Sequence, residues 1–214
     1  MRPGISLACQ SKAPSASAWY GAVGRQLARV FKAIGMDIHV CTLRQRETES
    51  SRKDDTYTPP GCGDPDGIFP SKWFSANTKE GLHDFLGSGL DVLVLTIPLT
   101  SKTRGLIGKD ELSLLADRKA FVSNVARGEV LDTDALIDAL ENDTICGAAL
   151  DVTDPEPLPT DHRLWKTKNV FITPHVSGDS GSYAQGVFEV LKANLVKLSK
   201  GQELSNRVNL EEGY

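Results

Sequence analysis

The sequence predicts an α/β fold, a doubly wound parallel sheet whose first strand is atypical or missing. Two observations carry this. Helical and strand-like patterns alternate along most of the chain, and the strand segments read as unbroken apolar runs, as strands in a parallel sheet covered on both faces do. A third bounds it: 214 residues, 40% of them hydrophobic, suffice for one good core, so a single main domain is the default.

The elements follow in order. Val23, Leu27, Val30, Phe31 and Ile34 fall on one helical face, and Gly35 follows as a natural stop. "DIHVCT" supplies a short β-branched strand. Residues 43–75, with "TPPGCGDPDGIFPS", are polar and rich in proline and glycine without periodicity, which reads as a long surface excursion. Asn77 with Glu80 three residues on resembles a capping box, and Leu82, Phe85 and Leu86 give the following helix its apolar face. Next come the strand "DVLVLT", the turn "IPLTSKTRG", the short helix "KDELSLLAD" and the strand "AFVSN". The helix "DTDALIDALEN", the strand "ICGAALDV", a proline-rich loop, the strand "NVFIT" and a closing helix over 182–198 complete the chain.

Composition excludes several classes of function. A formal net charge of -4 gives no electrostatic footprint for nucleic acid or an anionic membrane surface, so small neutral or anionic ligands are the expected partners. Cys9, Cys41, Cys62 and Cys146 form no C-x-x-C pair, which argues against a metal site and a disulfide framework and fits a reducing cytosol. No apolar run approaches the length of a bilayer span, and "MRPGISLACQSKAPSASA" has too short an apolar core for a secretory signal. A cytoplasmic protein is expected.

In open α/β sheets ligands bind beyond the carboxyl ends of the strands. Arg127 follows "AFVSN", Asp151 and Glu156 follow "ICGAAL", and His175 follows "NVFIT", so an arginine, two carboxylates and a histidine should gather at one sheet edge. Each alone has an ordinary structural reading, as a solvated charge, a turn cap or a hydrogen-bonder. Their shared position points to chemistry.

The segments "IPLTSKTRGLIG", "NVARGEVLDTDALIDAL", "GAALDVTDPEPLP" and "NVFITPHVSG", in this order, resemble the D-isomer-specific 2-hydroxyacid dehydrogenase family, from about residue 20 to the C-terminus apart from the 43–75 excursion. The resemblance implies a Rossmann-like domain and reversible hydride transfer between NAD(P) and C2 of a small 2-oxo or 2-hydroxy acid. It implies that Arg127 holds the substrate carboxylate and carbonyl oxygen, that His175 is the general acid/base with Glu156 as its partner, and that Asp151 accepts from the nicotinamide carboxamide. Pro98, Thr103, Val125, Ala126 and Gly178 would lie along the cofactor. The chemistry agrees. Reducing a ketone leaves negative charge on oxygen, which calls for a proton donor effective near neutrality, and a carboxylate on the far ring nitrogen favours the imidazolium and fixes its orientation. A guanidinium matches a carboxylate with two parallel bonds.

In "SASAWYGAVGRQLARVFKAIG", Trp19, Gly21 and Gly24 occupy the places of the glycines of G-x-G-x-x-G. The second and third glycines remain, so amides around Ala22 and Val23 at the head of the helix can still hold phosphate. Tryptophan cannot take the backbone angles open to the first glycine. "ISLAC" is the nearest candidate first strand, and "QSKAPSASA" separates it from the turn, so the strand is displaced or missing, or these residues were never selected to fold here. At the end of the second strand, Thr42 stands where NAD enzymes place an acid, and Arg44 and Arg46 follow, which makes NADP plausible beside NAD.

The resemblance divides the chain into an atypical N-terminal segment (1–18), a dinucleotide-binding domain (19–203) and a return tail (204–214). Most of the family's substrate-side domain is absent, and so is the helix that precedes the fingerprint and helps form the dimer. An apolar patch left bare there would invite another chain, so a homo-oligomer stays open. Two readings remain: a truncated form of an NAD(P)-dependent reductase of a small 2-oxo acid, and a non-catalytic descendant that binds a nucleotide or a protein.

Overall fold

The computed structural model describes residues 14–18 and 20–205. Its strands are β1 (Pro14–Ala18), β2 (Asp37–Thr42), β3 (Lys72–Ser75), β4 (Val92–Leu95), β5 (Phe121–Asn124), β6 (Gly147–Leu150) and β7 (Val170–Ile172). All pairings are parallel, in the order β3-β2-β1-β4-β5-β6-β7. The helices are α1 (Ala22–Ala33), α2 (Glu49–Arg52), α3 (Lys79–Leu86), α4 (Lys109–Ser113), α5 (Thr133–Glu141) and α6 (Tyr183–Ser199). The strand order reverses between β1 and β4, which opens a crevice at the carboxyl edge of a Rossmann-like sheet.

The first strand is present, which corrects the expectation that it is displaced or missing. It lies in "PSASA", inside the segment set apart as 1–18, and directly before the turn into α1. It pairs with β2 from Pro14 opposite Asp37 to Ala18 opposite Cys41, and with β4 from Ser15 opposite Val92 to Ala18 opposite Leu95. Proline, serine and alanine carry no strand pattern of their own, so this strand is made by its two β-branched neighbours rather than by local propensity. "ISLAC" and Trp19 lie outside the described residues.

The 43–75 excursion is likewise more ordered than its composition suggests. It contains α2 and β3, which pairs with β2. Its anchor is Asp64, 2% exposed. The Tyr20 hydroxyl donates to Asp64 Oδ2 at 2.6 Å, and the amides of Ile68 and Phe69 donate to its two carboxylate oxygens at 3.0 Å each. Buried Arg25 of α1 bonds the Asp64 carbonyl, donates to the Arg52 carbonyl at 2.7 Å and faces Asp54 Oδ2 at 3.2 Å. Burial, with Asp64 close by, pushes the Tyr20 hydroxyl far above its ordinary value and so keeps it a donor. Composition shows none of this, because the pairing spans 39 residues between Arg25 and Asp64.

The α3 cap lies one position later than expected. Thr78, not Asn77, accepts from the Gly81 amide at 3.1 Å. Leu82, Phe85 and Leu86 are buried. Together with Leu112 of α4 and Leu136 and Ile137 of α5 they form the main core against Leu93, Leu95 and Val122 of the sheet. Side chains alternate along a strand, so Val92, Val94, Phe121 and Ser123 face the opposite side. There they form the floor of an open trough of about 840 Å³, flanked by α1 and by the start of α6. Among the described residues, the cover on this face of the sheet is open over β4 and β5. On α1 the buried residues are Gly24, Arg25 and Ala28, while Val23, Val30 and the C-cap residue Ile34 are exposed. No residue of α6 is buried.

Among the described residues no helix is long and apolar enough to cross a membrane. Cys41, Cys62 and Cys146 are free thiols, and burial pushes that of Cys41 up to about 12, far from nucleophilic use.

Candidate active site

The turn after β7 carries the histidine. His175 has a positive φ of 55°, a conformation that a residue with a Cβ adopts only when its surroundings impose it. Asp151, at the end of β6, imposes it. The Asp151 carbonyl accepts from the His175 amide at 2.9 Å. Its Oδ1 accepts from the Thr173 hydroxyl at 2.6 Å and the Val176 amide at 2.9 Å, and its Oδ2 accepts from the Ser177 amide at 2.9 Å. Burial opposes ionisation of this 5% exposed carboxyl, but the bonds from Ser177, Thr173 and the Val176 amide outweigh it and hold the group well below the usual carboxylate range. Asp151 thus fixes the histidine turn, in line with its ordinary structural reading as a turn cap.

His175 Nδ1 lies 2.7 Å from Glu156 Oε1. Both side chains are partly open to solvent. Glu156 sits on the loop after β6, and that loop closes tightly against the turn after β5. A Cβ on Gly128 would lie 2.0 Å from the Thr153 carbonyl oxygen, so only glycine permits the approach. Arg127 immediately precedes this glycine. Asn124 clamps its turn, accepting from the Ala126 amide at 3.0 Å and donating to the Arg127 carbonyl at 2.9 Å. Arg127 Nη1 donates to the Ala126 carbonyl at 2.6 Å, and the exposed guanidinium lines the same cavity as His175.

The residues expected along a cofactor divide between two cavities. Val23, Val125, Arg127, His175 and Gly178 line the cavity of about 840 Å³. Arg44 and Thr103 line a second, of about 860 Å³, beyond β2, β3 and β4. Gly21 is the N-cap of α1, has no side-chain cap, and leaves open space where a Cβ would be. Ala22, Val23 and Gly24 form the first turn, whose amides a side-chain cap would otherwise engage. Pro98 accepts from the Thr103 hydroxyl at 2.7 Å, which shapes the wall of the second cavity, and buried Ala126 belongs to the core beneath the first.

Two expectations shift in detail. The Thr42 hydroxyl is turned inward, donating to the Arg44 carbonyl at 2.6 Å. Arg46 donates to the Ser51 carbonyl at 3.0 Å within the excursion, and the second cavity is lined by Arg44 without it. Lys79, Lys102 and Arg104 join Arg44 there, with Glu111 the one carboxylate among the lining residues. They were missed because they come from α3 and from the turn after β4, far from the fingerprint in sequence.

Residues 74–177 match the family model described as D-isomer specific 2-hydroxyacid dehydrogenase, NAD binding domain. The chain is similar to this dehydrogenase family. The matched region of the dehydrogenase domain includes Arg127, Asp151, Glu156 and His175 and begins after Gly21, Gly24 and Thr42. The glyoxylate reductase of Thermococcus gammatolerans is 33% identical over 193 residues, 90% of this chain and 50% of that protein. That of Pyrococcus horikoshii is 39% identical over 130 residues, 61% of this chain and 38% of that one. A D-isomer specific 2-hydroxyacid dehydrogenase from Xanthobacter autotrophicus Py2, crystallised with NADPH and MES, is 28% identical with a TM-score of 0.74, covering 94% of this chain and 72% of that one. The chain spans about half the length, or less, of the curated relatives it matches.

Proposed function

We propose that the chain is the cofactor-binding and proton-transferring part of an NAD(P)-dependent reductase of a small 2-oxo acid, with Arg127, Glu156 and His175 as its catalytic residues. The observation that carries this reading is the 2.7 Å contact of His175 Nδ1 with Glu156 Oε1 at a cavity that Arg127 also lines.

The residues present fit a dinucleotide. Residues 19–203, extended back through β1, serve as the dinucleotide-binding domain, with 204–214 as a return tail. Uncapped amides of Ala22, Val23 and Gly24 at the positive end of α1 suit a pyrophosphate, and the bare Gly21 allows its approach. Around the second cavity Lys79 faces Asp110 and Glu111 and Arg104 faces Glu129, while Arg44 and Lys102 add further positive charge and Thr42 brings no carboxylate to the end of β2, which favours the extra phosphate of NADP. When bound, the nicotinamide supplies or receives the hydride.

The protein's own groups do the rest. With Nδ1 engaged by Glu156, His175 uses Nε2 to give a proton to the oxygen that becomes the hydroxyl, and to take it back in the reverse direction. The Arg127 guanidinium orients the 2-oxo acid through its carboxylate. Asp151 keeps the imidazole in place by holding the turn beneath it.

Fluorescence titration with NADPH and NADH, followed by assays with glyoxylate, hydroxypyruvate and pyruvate, tests the proposal. His175→Ala should abolish turnover while changing cofactor affinity by no more than about twofold. Wild-type rates in that variant would overturn the role of His175. Cofactor binding without turnover by the unaltered chain would instead favour the non-catalytic reading.

A further inference from the structure

One wall of the second cavity is a run of chain that belongs to no helix or strand: Leu43, Arg44 and Gln45, the first residues of the long excursion. Irregular backbone keeps a fixed course where its polar groups are bound, and here successive carbonyls are. The Thr42 carbonyl accepts from the Ala76 amide at 2.9 Å, that of Leu43 from the Ser75 hydroxyl at 3.0 Å, and that of Arg44 from the Thr42 hydroxyl at 2.6 Å. The Arg46 carbonyl accepts from Arg52 Nε at 3.1 Å.

Arg52 stands outside the cavity, at the end of α2. The body of the domain holds it there. Its guanidinium carbon is 5.4 Å from the centre of the Trp73 ring of β3, and its carbonyl accepts from Arg25 of α1 at 2.7 Å. Arg46 Nη1 returns a bond to the Ser51 carbonyl at 3.0 Å, so α2 and the cavity wall grip each other in both directions. The short helix is a brace between the sheet and the wall that carries Arg44.

We propose that this brace sets a preference for NADP over NAD, with Arg52 as a positioning residue that never touches the cofactor. The proposal rests on the reading of the second cavity as the seat of the extra phosphate of NADP. That phosphate is the only difference between the two nucleotides, and its bonds to a guanidinium depend on distance and angle. NADH makes no such demand on Arg44. Loosening the wall should therefore lower the preference rather than binding as a whole. Arg46, which follows the second strand as closely as Arg44 does, serves the brace instead of the phosphate.

Dissociation constants for NADPH and NADH, measured by nucleotide fluorescence on the full chain, test this. The unaltered chain should prefer NADPH by at least ~10-fold. Arg52→Met removes the donor but keeps a stem of similar length over Trp73, and should weaken NADPH about 10-fold while leaving NADH within about twofold. Arg52→Gln also removes the charge, yet puts an amide N–H where Nε stood, and should restore most of the preference. Thr42→Val, with Thr42→Ser as its restoring counterpart, repeats the comparison at the Arg44 carbonyl and decides the matter if circular dichroism shows Arg52→Met unfolded. Equal losses for both nucleotides, identical behaviour of Arg52→Met and Arg52→Gln, or an unaltered chain without preference would overturn the brace and leave the cofactor reading intact. An unaltered chain that binds neither nucleotide would overturn both.

Discussion

Asp151 shows how one buried carboxylate holds the turn that carries a candidate site residue. Three donors converge on its oxygens and its own carbonyl takes the His175 amide, so the left-handed backbone at residue 175 is held from both sides. Replacing it by asparagine puts an amide donor against a backbone donor and removes the charge. Asp151→Asn should therefore cost roughly 2–3 kcal/mol at pH 7 in urea unfolding. The pH dependence has a definite sign. A carboxyl whose folded-state value is depressed contributes stability that is complete above its unfolded value near ~4 and is lost as pH falls through the folded one, so the gap between wild type and variant should narrow by about 1 kcal/mol at pH 3. A constant gap would remove the ionised Asp151 from the account of the turn. At this scale Arg127, Glu156 and His175 are legible because each follows a recognisable strand within a long motif. Asn124, Thr173 and Ser177 are not, since side chains that hold other side chains obey no periodicity and bear no chemistry of their own.

Elements were legible where they bury a face and illegible where neighbours define them. β2 and β4 to β7 announce themselves by apolar runs, and α3 and α5 by apolar residues that the structure buries. β1 is serine and alanine, β3 is four residues within a polar excursion, and both exist because β2 offers them hydrogen bonds on its two sides. Glycines divide in the same way. Gly128 lies where two loops meet, and Gly128→Ala would drive a Cβ into the Thr153 backbone; it should cost ~2 kcal/mol or more and separate Arg127 from Glu156. Gly21 meets nothing, and its φ of -89° suits any residue, so Gly21→Ala should change stability by less than about 0.5 kcal/mol. If phosphate seats on the head of α1, that added methyl should still weaken NADPH binding about tenfold or more. Thermal unfolding and NADPH titration of the two variants separate packing from recognition: equal losses of stability would refute the reading of Gly128, and unchanged affinity in Gly21→Ala would place the pyrophosphate elsewhere.

At the scale of the molecule, the sheet joins two unequal hydrophobic clusters. The larger gathers α3, α4 and α5 under β4 to β6, while the smaller consists of Tyr20, Ala28, Ile38 and Val40 with Phe31, Met36, Phe69 and Trp73 packed beside them. The larger also reaches Cys41 of β2 and Phe74 of β3, so at β2 the two clusters lie on opposite faces of the sheet, and the strand order reverses at the seam between β1 and β4, where the crevice opens. A seam whose strand has the sequence PSASA, with no large apolar residue, is the natural place for local opening, so amides of α1 and β2 should exchange through smaller openings than those of β5 and β6. A dinucleotide stretched from the Arg44 cavity to the Arg127 cavity would span this seam and tie the smaller cluster to the larger. Ligand that binds only the folded state at 100 times its Kd adds about 2.7 kcal/mol, which for a chain of this size raises Tm by roughly 5–10 °C. Added protection should then concentrate in α1, β2 and the anchored excursion around Asp64. Uniform protection across both clusters would mean that the molecule opens as a single unit, and a Tm indifferent to NADPH would mean that the crevice does not take the cofactor at all.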